Sequence, residues 1–161
     1  ELPKPQMTHS PSCTLCVVND QLFLIGGNTD VVEEYMAEKR QWVVLLERMP
    51  WTVAGAAAVA SDGKLLVIGG RSHTSLMQAD AGVLEYNPKK ATWKELPKLC
   101  NARYWCRAEV LGGEVFAFGG CREPKVPVKP PVERFNRSLR CWERWERWEH
   151  WDIGKVLPCV C

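Results

Sequence analysis

The chain has 161 residues, eight cysteines, and 21 basic against 19 acidic side chains, for a net charge of +2. The basic residues are dispersed, which excludes the footprint of a nucleic-acid or anionic-membrane binder, and no apolar run approaches the roughly 20 residues of a membrane helix. Twelve glycines and eleven prolines, with many β-branched residues, favour short strands and tight turns over long helices.

In chain order, Glu1-Leu2-Pro3-Lys4-Pro5 has no apolar run of a signal peptide. It echoes Glu95-Leu96-Pro97-Lys98-Leu99, so residues 1–5 read as the tail of a preceding structural unit. The first unit, about 11–50, predicts strands near 13–18 and 21–26 around an Asn19-Asp20 turn. The second of these ends in Gly26-Gly27, and strands near 31–35 and 41–46 follow, carrying Tyr35 and Trp42. The second unit, about 54–97, starts on the small-residue run Ala54-Gly55-Ala56-Ala57-Ala58-Val59-Ala60. It predicts strands near 54–60 and 64–69 around Asp62-Gly63, closing on Gly69-Gly70, then strands near 82–86 and 92–96 with Tyr86 and Trp93. The third unit, about 104–158, predicts strands near 104–110 and 114–119 around Gly112-Gly113, closing on Gly119-Gly120. Strands near 131–135 and 140–145 follow, with Phe135 and Trp142.

Each tryptophan stands seven residues after its aromatic partner, and the tryptophans recur after 51 and then 49 residues. A fixed period of this kind is the mark of a repeat architecture. One four-stranded sheet cannot bury both of its faces alone, so the units are expected to stack. Near the end, Glu143-Arg144-Trp145, Glu146-Arg147-Trp148 and Glu149-His150-Trp151 form a tandem triplet, read as an expansion of 143–151. Period three matches neither a strand face nor a helical stripe.

The cysteines are expected to be free thiols in a reducing compartment. Cys13-x-x-Cys16 alone has metal-ligand spacing, and no second pair completes a zinc site. No metal and no cofactor is expected.

These residues resemble the kelch motif: a double glycine, a Val-Glu-x-Tyr strand, a tryptophan, then Leu-Pro. Val32-Glu33-Glu34-Tyr35 and Val132-Glu133-Arg134-Phe135 match the strand; Val83-Leu84-Glu85-Tyr86 keeps all but the first glutamate. Leu96-Pro97 matches the ending, and Met49-Pro50 varies it. The resemblance implies an all-β fold, a kelch-type β-propeller fragment of about three four-stranded antiparallel blades over residues 1–161. It implies a protein–protein interaction module: the substrate-recruiting domain of a BTB-kelch adaptor for a cullin-type ubiquitin ligase, with cullin engaged through a BTB domain absent from these residues. The alternatives are an actin- or cytoskeleton-associated structural protein of the calicin type and, remotely, a kelch-fold copper oxidase. The last needs converging histidine and tyrosine ligands, and the histidines are only His9, His73 and His150. No catalytic motif stands out, and the chain is not expected to be an enzyme. The expected location is cytoplasmic or cytoskeletal.

Binding residues are expected on loops at one end of the blades. After the glycine pairs come Asn28, then Arg71, Ser72 and His73, then Arg122. Before the innermost strands come His9 and Ser10, then Trp51, then Asn101, Arg103 and Tyr104. Arginine forks bind carboxylates bidentately, so an acidic peptide segment is an expected partner, and the resemblance adds actin.

Overall fold

Tight turns of left-handed backbone set the ends of the innermost strands. Asn19 and Asp20 have φ of 51° and 63°, Asp62 and Gly63 of 51° and 67°, and Gly112 and Gly113 of 58° and 81°. Positive φ at both central residues is the two-residue hairpin turn whose twist matches the strands it joins. The protein is described here from a computed structural model over residues 3–71, 78–122 and 130–145.

Around the first turn, β1 (Cys13–Val18) pairs with β2 (Gln21–Gly26), and β3 (Val32–Met36) and β4 (Gln41–Val44) complete the sheet. The second sheet is β5 (Ala57–Ser61), β6 (Lys64–Ile68), β7 (Val83–Asn87) and β8 (Thr92–Leu96); the third is β9 (Arg107–Leu111), β10 (Glu114–Phe118), β11 (Glu133–Asn136) and β12 (Cys141–Arg144). Each is a four-stranded antiparallel meander in chain order, and no helix occurs among the described residues. This is the all-β architecture expected from the sequence.

Two strand starts differ from expectation. The runs 54–60 and 104–110 begin pairing only at Ala57 and Arg107, while Ala54 and Tyr104 make isolated bridges to Arg71 and Cys121. The cause is a left-handed residue between bridge and strand, Gly55 at φ 64° and Trp105 at φ 52°, which turns the chain out of the extended path.

Alternation along the strands gives each sheet two apolar faces. Val18, Phe23, Ile25 and Val32 of the first sheet pack against Leu65, Val67, Leu84 and Tyr86 of the second. The other face of the second sheet, with Ala57, Leu66, Ile68 and Val83, packs against Cys106, Ala108, Val115, Ala117 and Trp142 of the third. The innermost strands follow one another in space, β1 beside β5 and β5 beside β9. The three sheets are thus consecutive blades. Gly69 shows why the double glycine is required: at φ 66°, a Cβ there would stand 2.5 Å from the Arg103 carbonyl oxygen of the next blade.

The paired aromatics are directly opposite in register, Tyr35 to Trp42, Tyr86 to Trp93 and Phe135 to Trp142, with ring centroids 5.3, 4.8 and 5.4 Å apart. Trp42 and Trp142 are buried, whereas Trp93 is half-buried. Trp93 reaches back to the preceding blade, its Nε1–H donating to the Glu47 carbonyl at 3.2 Å. Of the triplet expansion, residues 146–151 lie outside the described residues.

Candidate protein-interaction surface

Short connections leading into the innermost strands meet around the axis, and the backbone itself ties them together. Gly55 N–H donates to the Ser12 carbonyl at 2.8 Å, and Trp105 N–H donates to the Gly55 carbonyl at 2.6 Å. Ser12, Gly55 and Trp105 hold the same place in three successive blades, so one hydrogen-bonded arc passes across all of them. Gly55 also makes room for its neighbour: a Cβ there would collide with the Trp105 indole at 2.6 Å. The indole, 46% exposed, therefore sits against Gly55 of the second blade.

Beside it opens a cleft of about 430 Å³ lined by Ser10, Pro11, Ser12, Asn28, Arg71 and Trp105. The Arg71 guanidinium sits 5.4 Å from the Tyr104 ring centroid and 5.7 Å from that of Trp105, within cation–π range. On the opposite wall the Asn28 amide donates to Ser10 Oγ at 3.2 Å, and the Ser10 and Ser12 hydroxyls share a bond of 2.7 Å. Among the described residues the lining carries one cation and no carboxylate.

Of the residues expected to bind, Ser10, Asn28 and Arg71 meet in this cleft. Arg122 is exposed elsewhere on the third blade, and Trp51 is half-buried against Gly82 and the core between the first two blades. Ser72 and His73 lie outside the described residues.

Four expected contacts are structural instead. Arg103 is fully buried, with Nη2 2.6 Å from Glu133 Oε1 and 2.7 Å from the Pro131 carbonyl. Asn101 N–H and Cys100 N–H donate to the same Glu133 carboxylate at 3.0 and 2.6 Å. Tyr104 is 2% exposed. His9, its side chain 3% exposed, approaches the Gly26 carbonyl at 2.6 Å and Glu33 Oε1 at 3.1 Å. Buried backbone donors must be satisfied, and the Glu133 and Glu33 carboxylates accept them here, while Arg103 donates to backbone carbonyls. Sequence reasoning missed Pro11, Ser12 and Trp105 as cleft residues; the signal was their nearness to Ser10 and Tyr104, and nothing local announces Trp105 at positive φ.

Nucleophilic or metal chemistry finds little support. Cys13 and Cys16 stand three apart on one strand, which sends their side chains to opposite faces. Burial pushes the Cys16 thiol up to about 11 and also raises Cys106. The Cys100 thiol is raised first by burial, then by Glu133. No group of three or more histidine, cysteine, aspartate or glutamate side chains converges among the described residues.

Comparison with known proteins agrees with this arrangement. A family model for the Kelch motif matches residues 53–99. Kelch-like protein 23 of Homo sapiens is 25% identical over 140 residues, covering 82% of this chain and 24% of that protein. Kelch repeat and BTB domain-containing protein 12 of Danio rerio is 30% identical over 124 residues, covering 68% of this chain and 20% of that protein. The chain thus spans about a quarter or less of the length of these relatives. The solved structure of YjhT superposes with a TM-score of 0.74 at 19% identity, over 89% of this chain and 53% of that one, a likeness of fold alone. The motif match, the relatives and the three serial blades with their double glycines and paired aromatics lead to one assignment: the chain is part of a kelch-repeat protein.

Proposed function

We propose that this kelch-repeat interaction module is the substrate-recruiting part of a BTB-kelch adaptor for a cullin-type ubiquitin ligase. The observation that carries the reading is the convergence of connections from all three blades on one open cleft, hydrogen-bonded into a rigid arc through Ser12, Gly55 and Trp105. A rigid frame that presents variable loop residues is suited to holding a partner rather than transforming it. The naming of a BTB domain in the Danio rerio relative supports the adaptor role.

The test is reconstitution with the whole protein to which these residues belong. Purified cullin–RING components are expected to bind it and to ubiquitinate a partner captured through the cleft. Absence of cullin binding, together with co-sedimentation with actin filaments, would replace the adaptor reading with the cytoskeletal one.

A further inference from the structure

Leu45, Leu96 and Trp145 hold one place in three successive blades. The backbone N–H groups of Leu45 and Trp145 donate to the Val32 and Val132 carbonyls at 2.9 and 2.8 Å, and Leu96 stands opposite Val83, the matching valine of the second blade. The place points toward the following blade: Leu45 packs into the core between the first two sheets, and Leu96 into the core between the second and third. Trp145 therefore stands on the outward face of the third sheet, as the tryptophan of the first Glu-Arg-Trp triplet.

Its work there is seen by setting Phe116 beside Phe23, each three residues before a glycine pair. Phe23 meets Tyr86 of the following blade edge-on, with ring centroids 6.2 Å apart and planes at 72°. Phe116 meets Trp145 of its own blade in the same manner, at 5.7 Å and 78°. Among the described residues no blade follows the third, yet Phe116 is only 5% exposed. The edge-to-face pair that crosses the blade boundary at Phe23 is made within the blade at Phe116.

A cation holds the indole in place. The Arg134 guanidinium lies 4.3 Å from the Trp145 ring centroid and is itself held by Glu114 at 3.2 Å and, through Nε, by Glu143 at 3.1 Å. At the matching places the first two blades carry Glu34 and Glu85, bonded to Gln21 and Lys64. A carboxylate is repelled by the negative face of a ring, so those blades could not clamp a tryptophan. Arginine and tryptophan replace glutamate and leucine together, on the one described sheet with no following blade.

From this packing we infer that Trp145, clamped by Arg134, is a lid over the third blade's outward face. It fills in cis the site that takes an aromatic ring from a following sheet, so a further sheet docks on this face only by displacing the indole. The inference rests on packing alone and is independent of the ligase reading.

The test uses the 161-residue chain carrying Leu15→Ser and Val17→Thr, so that the open innermost strand of the first blade stays silent. Hydrophobic-dye fluorescence and sedimentation velocity are read together, with circular dichroism as the check that the strands persist. Adding Trp145→Ala should raise dye fluorescence at least about twofold and strengthen self-association on the order of tenfold, by uncovering an apolar face. Trp145→Leu, which installs the residue of the other two blades, should act in the same direction, because it leaves the Phe116 ring without its edge-on partner. Arg134→Gln removes the clamp but keeps the ring, and should give a smaller rise. Leu139→Ser, at an exposed turn of the same blade, should leave both readings near the parent values. Parent-like readings in both Trp145 variants overturn the inference, and so does a rise in Leu139→Ser equal to that in Trp145→Ala. Where Trp145→Ala loses its strands, Trp145→Leu decides. Loss of the strands in Trp145→Leu as well would also overturn the inference, by making the indole a part of the fold and not a displaceable lid.

Discussion

Trp42, Trp93 and Trp142 hold equivalent places but unequal surroundings. The indole of Trp42 donates to the Pro3 carbonyl at 2.9 Å and that of Trp93 to the Glu47 carbonyl at 3.2 Å. Trp142 Nε1 is buried without a hydrogen-bond partner among the described residues. A buried amine without a partner carries a desolvation cost that replacement by an apolar ring removes. Trp93→Phe should therefore lose both volume and a hydrogen bond, whereas Trp142→Phe loses volume alone. Denaturant melts should show Trp142→Phe to be the milder change by about 1 kcal/mol. A larger loss at Trp142 would mean that its indole nitrogen is satisfied in solution. Truncation to alanine removes the ring altogether, and Trp93→Ala should cost about 3 kcal/mol through the opened space beside Tyr86.

At the level of elements, two connections rest on a buried carboxylate at the start of an inner-facing strand. Glu133 on β11 holds Cys100 N–H, Asn101 N–H and the Arg103 guanidinium; Glu33 on β3 holds Gln6 N–H, Met7 N–H and the His9 ring. The middle blade does the same task without charge. Leu84 replaces the glutamate, Val53 stands where Arg103 stands, and Pro50 stands where Cys100 stands, bringing no N–H to satisfy. Cation, donor and carboxylate have thus disappeared together, which is the expected result if they form one unit.

Within that unit, breaking one partner leaves an uncompensated buried charge, whereas replacing both with apolar groups avoids it. Arg103→Val and Glu133→Leu should each cost about 3–5 kcal/mol. The double variant should cost less than their sum by about 2 kcal/mol, because the groups left unsatisfied, the Cys100 and Asn101 N–H and the Pro131 carbonyl among them, are all neutral. Additive losses in chemical denaturation would show that the two side chains act separately.

This unit also marks where the sequence was legible and where it was not. The double glycines, turn dipeptides and paired aromatics declare backbone geometry, since φ above zero and cross-strand register restrict residue type locally. They placed every strand within a few residues. Arg103 and Glu133 lie thirty residues apart, and nothing local shows that they meet. A loop arginine looks the same in sequence whether it faces a partner or a buried carboxylate, so Arg71 and Arg103 carried the same expectation, and only the fold separates the cleft residue from the buried one.

Across the whole molecule, what matters is which sheet faces are covered. Gly26 and Gly69 each lie against a carbonyl of the next blade's inner connection, Val53 and Arg103, whereas Gly119 has nothing within 4 Å. On the third blade's outward face Trp145 covers Phe116, ring centroids 5.7 Å apart, while Leu111 on β9 is 49% exposed. On the first blade's outward face residues 3–9 cover Glu33 and Trp42, but the innermost strand is left open. Ala58 and Ala60 of the second blade are packed against the first, but the matching places on β1 hold Leu15 and Val17, 55% and 58% exposed. A flat apolar face on a strand is a template for association. The 161-residue chain by itself should therefore self-associate and bind a hydrophobic dye. Leu15→Ser combined with Val17→Thr should weaken both effects, since neither side chain contributes to the cores between blades. Arg71→Gln should change neither, because the cleft lies at the end of the blades and not on their outward faces. Sedimentation velocity over a wide concentration range decides the matter: a cooperative monomer that ignores the dye would show that three blades suffice without covering these faces, and that the exposed leucine and valine do not drive contact between molecules.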